Sequence, residues 1–218
     1  MNPELNYRLK SDRLDYQMNF LLENTVFADP IDQFGLWLQE AYDAGDKMAN
    51  TMVLSTVNAD HIPSSRIVLL KDAHQNGFTF FTNYNSNKAK SLDQNKYASL
   101  LFFWKDLERQ VMVVGKVNKL SKEESEAYFD TRPRDSQLAS WASNQSELIA
   151  DRDQLDASFF YYQKKFETVE HIPMPDHWGG YILAPTSIEF WQGRENRLND
   201  RLLFTLEEGR WKLNRLSP

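Results

Sequence analysis

The sequence predicts a β-dominated α+β fold, a barrel-like sheet with helices inserted around it, and three observations carry that reading. Four or five β-rich runs follow one another between residues 51 and 120. Turn chemistry separates several of them, with Asn76-Gly77 and the longer Asn58–Pro63 as the clearest cases. Helical stretches fall between and after these runs without alternating with them one for one, which excludes a βαβ array.

Taken in order, residues 1–25 read as an arm that stays mobile until something docks it, and residues 26–218 as a single domain. Pro30 to Asp46 reads as an amphipathic helix. Phe34, Trp37, Leu38, Ala41 and Tyr42 recur at helical spacing behind the start signal Asp29-Pro30. Strands are expected at Thr51–Val57, Ser65–Lys71, Phe78–Asn83, Ala98–Trp104 and Gln110–Leu120, with Asn76-Gly77 as a type I′ hairpin turn. Ser86–Asn95 and Ser121–Thr131 read as helices, the second opened by the Ser121/Glu124 capping box. A longer helix is expected over Asp151–Thr168. After the Pro173/Pro175 break come short strands at Trp178–Leu183, Ser187–Trp191, Leu202–Leu206 and Trp211–Leu213.

Composition excludes more than it suggests. A net charge of -6 argues against a general nucleic-acid binder, and the lack of a long apolar run argues against a membrane span. Met1 to Phe20 lacks the apolar stretch of a secretory signal, so a cytoplasmic location is expected. The absence of cysteine removes thiolate nucleophiles, Cys-ligated metals and dithiol redox chemistry, leaving a bound cofactor as the route for any electron transfer. The eight glycines form neither a Rossmann fingerprint nor a Walker A loop. His61, His74, His171 and His177 form no metal-binding pattern, and no metal site is expected.

Three constellations have the residue types for anion chemistry. Arg66 and Lys71 bracket an apolar strand and, on a period of two, point to opposite faces, which suggests two separate anion contacts. Ser86 reads as the cap of the helix that begins there, and with Thr82 and Lys88 nearby that helix start suits a phosphate. Tyr128, Arg132 and Ser136 share one face if a helix runs through Pro133, and would cradle a second phosphate; pairing of Arg132 with nearby Asp135 is the plainer alternative. Arg194, Arg197 and Arg201 follow Glu189-Phe-Trp-Gln192; Asp200 and Glu195 are their candidate neutralising partners.

These segments resemble the pyridoxine/pyridoxamine 5′-phosphate oxidase family. The likeness runs from about Phe27 to Pro218 through RIVLLK (66–71), LERQVMVVGK (107–116), YFDTRPRDSQ (128–137), WGGY (178–181) and IEFWQGRENRLNDR (188–201). It implies a split β-barrel homodimer that binds FMN at the subunit interface and oxidises pyridoxamine 5′-phosphate and pyridoxine 5′-phosphate to pyridoxal 5′-phosphate, with O2 reduced to H2O2. Implied cofactor contacts are Arg66, Ile67, Val68, Lys71, Phe81, Thr82, Lys88, Gln110, Gln145, Ser146, Trp191 and Arg201. Implied substrate contacts are Lys71, Tyr128, Arg132, Ser136, Arg197 and Asn199, with Arg13 and Tyr16 on a closing N-terminal element and Arg197 as the catalytic residue. Two positions depart from the family pattern. Asn87 stands where an Arg often precedes the lysine, and Asn199 where the motif commonly reads R-L-H-D-R; an amide there cannot titrate as imidazole does. An FMN-dependent reductase of the same barrel class, or a non-catalytic FMN or pyridoxal-phosphate binder, are the alternatives.

Overall fold

The structure, a computed structural model, describes residues 2–11 and 16–218. The chain divides into two compact units. One comprises residues 48–102 and 112–187; the other comprises the described part of 1–47 with 103–111 and 188–218.

The first unit is built on strands β1 (Thr51–Val57), β2 (Pro63–Leu69), β3 (Asp72–His74) and β4 (Gly77–Asn83), with most of β5 (Tyr97–Trp104), β6 (Arg109–Lys119) and β7 (Trp178–Gln192). Hydrogen-bonded neighbours run β2-β1-β5-β6-β7-β4-β3. Alternation along β1, β5 and β6 turns Met52, Leu54, Leu100, Phe102, Val111 and Val113 inward. Strand β4 is buried along nearly its whole length, and Phe81 is its one half-buried member. Helices α3 (Asn87–Gln94), α4 (Lys122–Asp130), α5 (Arg134–Ala142) and α6 (Arg152–Lys165) complete this unit. The capping box forms as the spacing predicts: Glu124 N–H donates to Ser121 Oγ, and Ser121 N–H to the Glu124 carboxylate.

Three local expectations are corrected. The hairpin ahead of β4 is made with the short β3, and His74 pairs with Gly77, so Gln75 and Asn76 form the loop. Neither has positive φ, which excludes a type I′ turn there. Gly77 is required for another reason: a Cβ on it would lie 2.1 Å from the Leu183 carbonyl oxygen of β7. The two strands expected on either side of Ala184-Pro185-Thr186 are one continuous strand, β7. Proline cannot donate to a ladder, and here the Val114 carbonyl accepts instead from the Thr186 hydroxyl at 3.1 Å. Ser86 sits at the N-cap of α3 but does not cap it, because its hydroxyl donates to the Asn83 carbonyl at 2.7 Å.

The second unit packs helix α2 (Pro30–Asp43) through Phe34, Trp37 and Ala41, with Trp37 edge-on to Phe190 at 5.2 Å and Phe190 edge-on to Phe204 at 5.8 Å. Asp29 caps α2 by accepting from Ile31 N–H. Strands β8 (Asp200–Glu207) and β9 (Arg210–Leu216) form an antiparallel hairpin. Its two-residue loop, Glu208-Gly209, has φ of 49° and 78°, so the type I′ turn occurs here, at a Glu-Gly pair. Within the expected arm, Pro3–Ser11 is a helix (α1), and Leu21 is 3% exposed. Among the described residues no helix is long and apolar enough to cross a membrane.

Candidate active site

A cavity of about 950 Å³ lies within the first unit. Strand β2 is the edge of the sheet, so its backbone borders the cavity along Arg66-Ile67-Val68-Leu69 and strand parity no longer separates its residues. The strand ends at Leu69, and Lys71 lines the same cavity as Arg66, which corrects the opposite-face expectation. The rest of the wall comes from the end of β4, the start of α3, the α4–α5 corner, residues 143–146 and Trp178.

One end of the cavity holds two cations, the buried Lys88 and the half-buried Arg66. Lys88, 9% exposed, donates to Gln145 Oε1 at 2.8 Å, Thr82 Oγ1 at 3.1 Å and Ser86 Oγ at 3.2 Å. Arg66 donates to Thr56 Oγ1 at 2.8 Å, the Leu54 carbonyl at 3.1 Å and Ser64 Oγ at 2.7 Å. All six acceptors are neutral, and among the described residues neither cation has a carboxylate partner. Burial, and then the Arg66 charge, lower the Lys88 ammonium to about 8; burial also lowers Arg66. Ser146, at φ 75°, brings its hydroxyl to Asn87 N–H at 3.3 Å.

At the α4–α5 corner, Pro133 breaks the helix that the Tyr128/Arg132/Ser136 spacing invoked, yet all three side chains line the cavity. Arg132 does not pair with Asp135: it donates to Ser140 Oγ at 2.6 Å and lies over the Trp178 ring at 4.6 Å. Its guanidinium is also lowered by burial. Phe81 stacks on Tyr128 at 3.9 Å and on Trp178 at 5.4 Å, giving an aromatic wall. Trp178 and Ser140 are the contributors that residue chemistry alone missed. WGGY carried the signal for the tryptophan; a serine one helical turn after Ser136 carried none.

The cavity thus collects Arg66, Ile67, Val68, Lys71, Phe81, Thr82, Lys88, Gln145 and Ser146 from the implied cofactor set, and Lys71, Tyr128, Arg132 and Ser136 from the implied substrate set. Gln110, Trp191, Arg197, Asn199, Arg201 and Tyr16 belong to the second unit. There Arg201 forks onto Glu189 at 2.7 and 3.1 Å, which raises its basicity. Asp200 neutralises Arg194 and Arg215, so of its expected partners it takes Arg194 but not Arg201. Asn199 Oδ1 accepts from Arg194 N–H at 3.0 Å. Tyr16 meets the Trp191 ring edge-on at 5.5 Å. Arg197 is exposed at φ 61°, and its guanidinium has no hydrogen bond or ion pair among the described residues. Arg13 lies outside the described residues.

An edge strand, two helix ends and an aromatic wall surround one cation-lined cavity on a barrel-like sheet, a place with the chemistry to hold an anionic, planar small molecule. Solved structures give the class as the split β-barrel: PhzG from Burkholderia lata 383, in complex with tetrahydrophenazine-1-carboxylic acid, matches at a TM-score of 0.86 and 27% identity over 93% of this chain and 100% of that one. A pyridoxamine 5′-phosphate oxidase-related, FMN binding protein from Nostoc punctiforme PCC 73102 shares the fold at a TM-score of 0.70 and 15% identity, covering 88% of this chain and 100% of that one. Residues 38–165 match the family described as pyridoxamine 5′-phosphate oxidase, and 178–218 its C-terminal dimerisation region, described under pyridoxine 5′-phosphate oxidase. Pyridoxine/pyridoxamine 5′-phosphate oxidases from Leptospira biflexa serovar Patoc and Acaryochloris marina are 49% and 50% identical over 206 residues, covering 94% of this chain and 97% and 94% of theirs. The chain belongs to the pyridoxamine 5′-phosphate oxidase family.

Proposed function

We propose that this protein is an FMN-dependent oxidase that converts pyridoxine 5′-phosphate and, with uptake of water and release of ammonia, pyridoxamine 5′-phosphate to pyridoxal 5′-phosphate, passes the two electrons to O2 to give H2O2, and works as a homodimer. The single observation that carries this reading is one cavity with two separate cationic clusters and an aromatic wall. Two phosphorylated, planar partners fit that arrangement better than one. Family membership and the dimerisation-region match support it.

The donor set fits FMN. Lys88 is a buried and Arg66 a half-buried charge, both satisfied only by neutral acceptors, and a phosphate would supply the missing anion. Thr82, Gln145 and Ser146 flank the same spot, while Ile67, Val68, Lys71 and Phe81 offer backbone and apolar surface; Gln110, Trp191 and Arg201 are assigned to the same cofactor. When bound, FMN supplies the two-electron acceptor that the side chains of this chain lack.

The chain's own residues then bind and orient. Tyr128, Arg132, Ser136 and Lys71 hold the substrate phosphate, each charge-assisted bond contributing about 1.5–3 kcal/mol. Anchoring at that end fixes the pyridine ring against one face of the cavity, which converts binding into alignment of the reacting carbon. The Phe81/Tyr128/Trp178 wall keeps water from that face. Arg197 is assigned to the opposite face of the substrate, where a guanidinium stabilises charge developing on the ring oxygen. Asn199 contributes an amide and no titrating proton.

The test is an absorbance spectrum of the purified protein before and after anaerobic pyridoxamine 5′-phosphate, followed by H2O2 detection on admitting air. Bleaching of a yellow chromophore and peroxide release are expected. A yellow protein that stays oxidised with both phosphorylated substrates would overturn the substrate assignment in favour of another reaction of the same barrel class. A protein that binds FMN without any turnover would reduce it to a binding module.

A further inference from the structure

The loop carrying Arg197 is held in a form that its own sequence does not favour. Asn196 and Arg197 have φ of 57° and 61°, two successive left-handed residues, and arginine has no local hydrogen bond to offset that conformation as asparagine does. Such backbone persists only where the surroundings over-determine it. Within the loop, two bonds cross its mouth: Arg194 N–H to Asn199 Oδ1 at 3.0 Å and Leu198 N–H to the Glu195 carbonyl at 3.1 Å.

The remaining restraint converges on one carboxylate. Asp200, whose side chain is 13% exposed, accepts from Arg194 Nη1 at 3.0 Å and from Leu21 N–H at 3.1 Å through Oδ2, and from Arg215 Nη1 at 2.6 Å through Oδ1. Arg194 lies two residues before the strained pair and Asp200 three residues after it, so this ion pair sets the distance between the loop's two ends. Arg215 in turn forks onto Glu23 and donates to the Leu21 carbonyl at 2.8 Å, and the Arg194 guanidinium lies over the Phe20 ring at 3.5 Å. A segment near residues 20–23, strand β9 and the loop are thus tied at one point.

We propose that Asp200 is a positioning residue for the oxidation, acting through Arg197: it closes the 194–200 loop and ties it to β9 and to Leu21, so that the Arg197 side chain leaves a backbone held in one conformation. The proposal rests on the assignment of Arg197 to the substrate. Asp200 itself touches no ligand, because its acceptor positions are taken up within its own unit.

The experiment compares Asp200→Ala, Arg197→Ala and the double variant as full-length, FMN-saturated proteins, with kcat on pyridoxine 5′-phosphate, FMN absorbance and hydrogen exchange at the amides of Leu21 and Asn196–Leu198. Asp200→Ala is expected to lower kcat about tenfold with FMN retention unchanged, and to cause no further loss in the Arg197→Ala background. The Leu21 and loop amides are expected to exchange faster. Equal loss of kcat in both backgrounds, loss of FMN, or unchanged exchange would overturn the proposal, since a purely structural carboxylate lowers activity whether or not Arg197 is present. If Asp200→Ala does not fold, Arg194→Ala removes one arm of the same tie and carries the same expectations. Should the wild-type protein fail to oxidise either phosphorylated substrate, the proposed function falls, whereas the exchange measurements still decide whether Asp200 holds the loop.

Discussion

Two groups of basic residues in this protein have similar composition and opposite electrostatics. Arg66 and Lys88 are surrounded by hydroxyl, amide and carbonyl oxygens, with no carboxylate among their described partners. Arg194 meets Asp200, Arg201 meets Glu189, and Arg215 meets both Glu23 and Asp200. The difference separates cations held ready for an anionic ligand from cations whose charge the fold already balances. A buried charge left with neutral partners costs stability that a ligand returns. A paired arginine returns its stabilisation to the fold at once, and its removal is felt as unfolding.

The largest expected effect tests the paired group. Arg201→Ala leaves the Glu189 carboxylate, 6% exposed, without its fork, and should cost about 3 kcal/mol, as breaking a buried pair does. Thermal unfolding of the FMN-free protein measures it. A melting temperature equal to wild type, with FMN loss alone, would show that Arg201 serves the cofactor and adds nothing to the fold.

Lys88→Met should do the reverse. FMN affinity falls by about 1.5–3 kcal/mol, one charge-assisted bond, while the FMN-free protein melts no lower than wild type because an unpaired buried charge has gone. Titration with FMN and a melting curve on the same sample separate the two. Arg132→Ala belongs with it on the substrate side. The expected result is a KM for phosphorylated substrate raised about tenfold or more, with FMN retained. Loss of FMN with an unchanged KM would show that the two phosphate ends are assigned in reverse.

The smallest effect is a pH dependence. With its folded value near 8 against the usual 10.5, Lys88 is charged at neutral pH and loses its proton as pH rises through 8. An anion favours the protonated form, so affinity for inorganic phosphate is full below 8 and declines above it. In the anion-free protein the sign is opposite for stability: between 8 and 10.5 the unfolded chain binds the extra proton, so stability rises with pH. Calorimetric titration with phosphate on either side of pH 8 checks the first. A flat profile would mean that Lys88 does not face the anion.

Much of this was legible in the sequence where the cause is local. Helix α2, the capping box of α4 and strand β1 follow from periodicity and from side chains that bond within three residues. Long family motifs marked the cavity residues of β2, α4 and α5 and Trp178 of β7. Less legible were features settled by a distant segment. Gly77 is read locally as a turn residue, but the close approach of Leu183, more than a hundred residues later, is what requires it. Ser86 has the chemistry of a helix cap, but the Asn83 carbonyl takes its hydroxyl.

The sequence by itself determined the family, the sheet-dominated architecture and which residue types gather for phosphate. Spacing and composition encode those, because they rest on short-range geometry and on ordered motifs too long to match by chance. Which arginine has an acid beside it was decided only by tertiary structure. Asp200 lies nearest Arg201 in the chain, yet pairs with Arg194 and Arg215, while Arg201 reaches across to Glu189. Charge pairing depends on separation in space, and the sheet brings β7, β8 and β9 side by side in a register that no linear distance along the chain reveals.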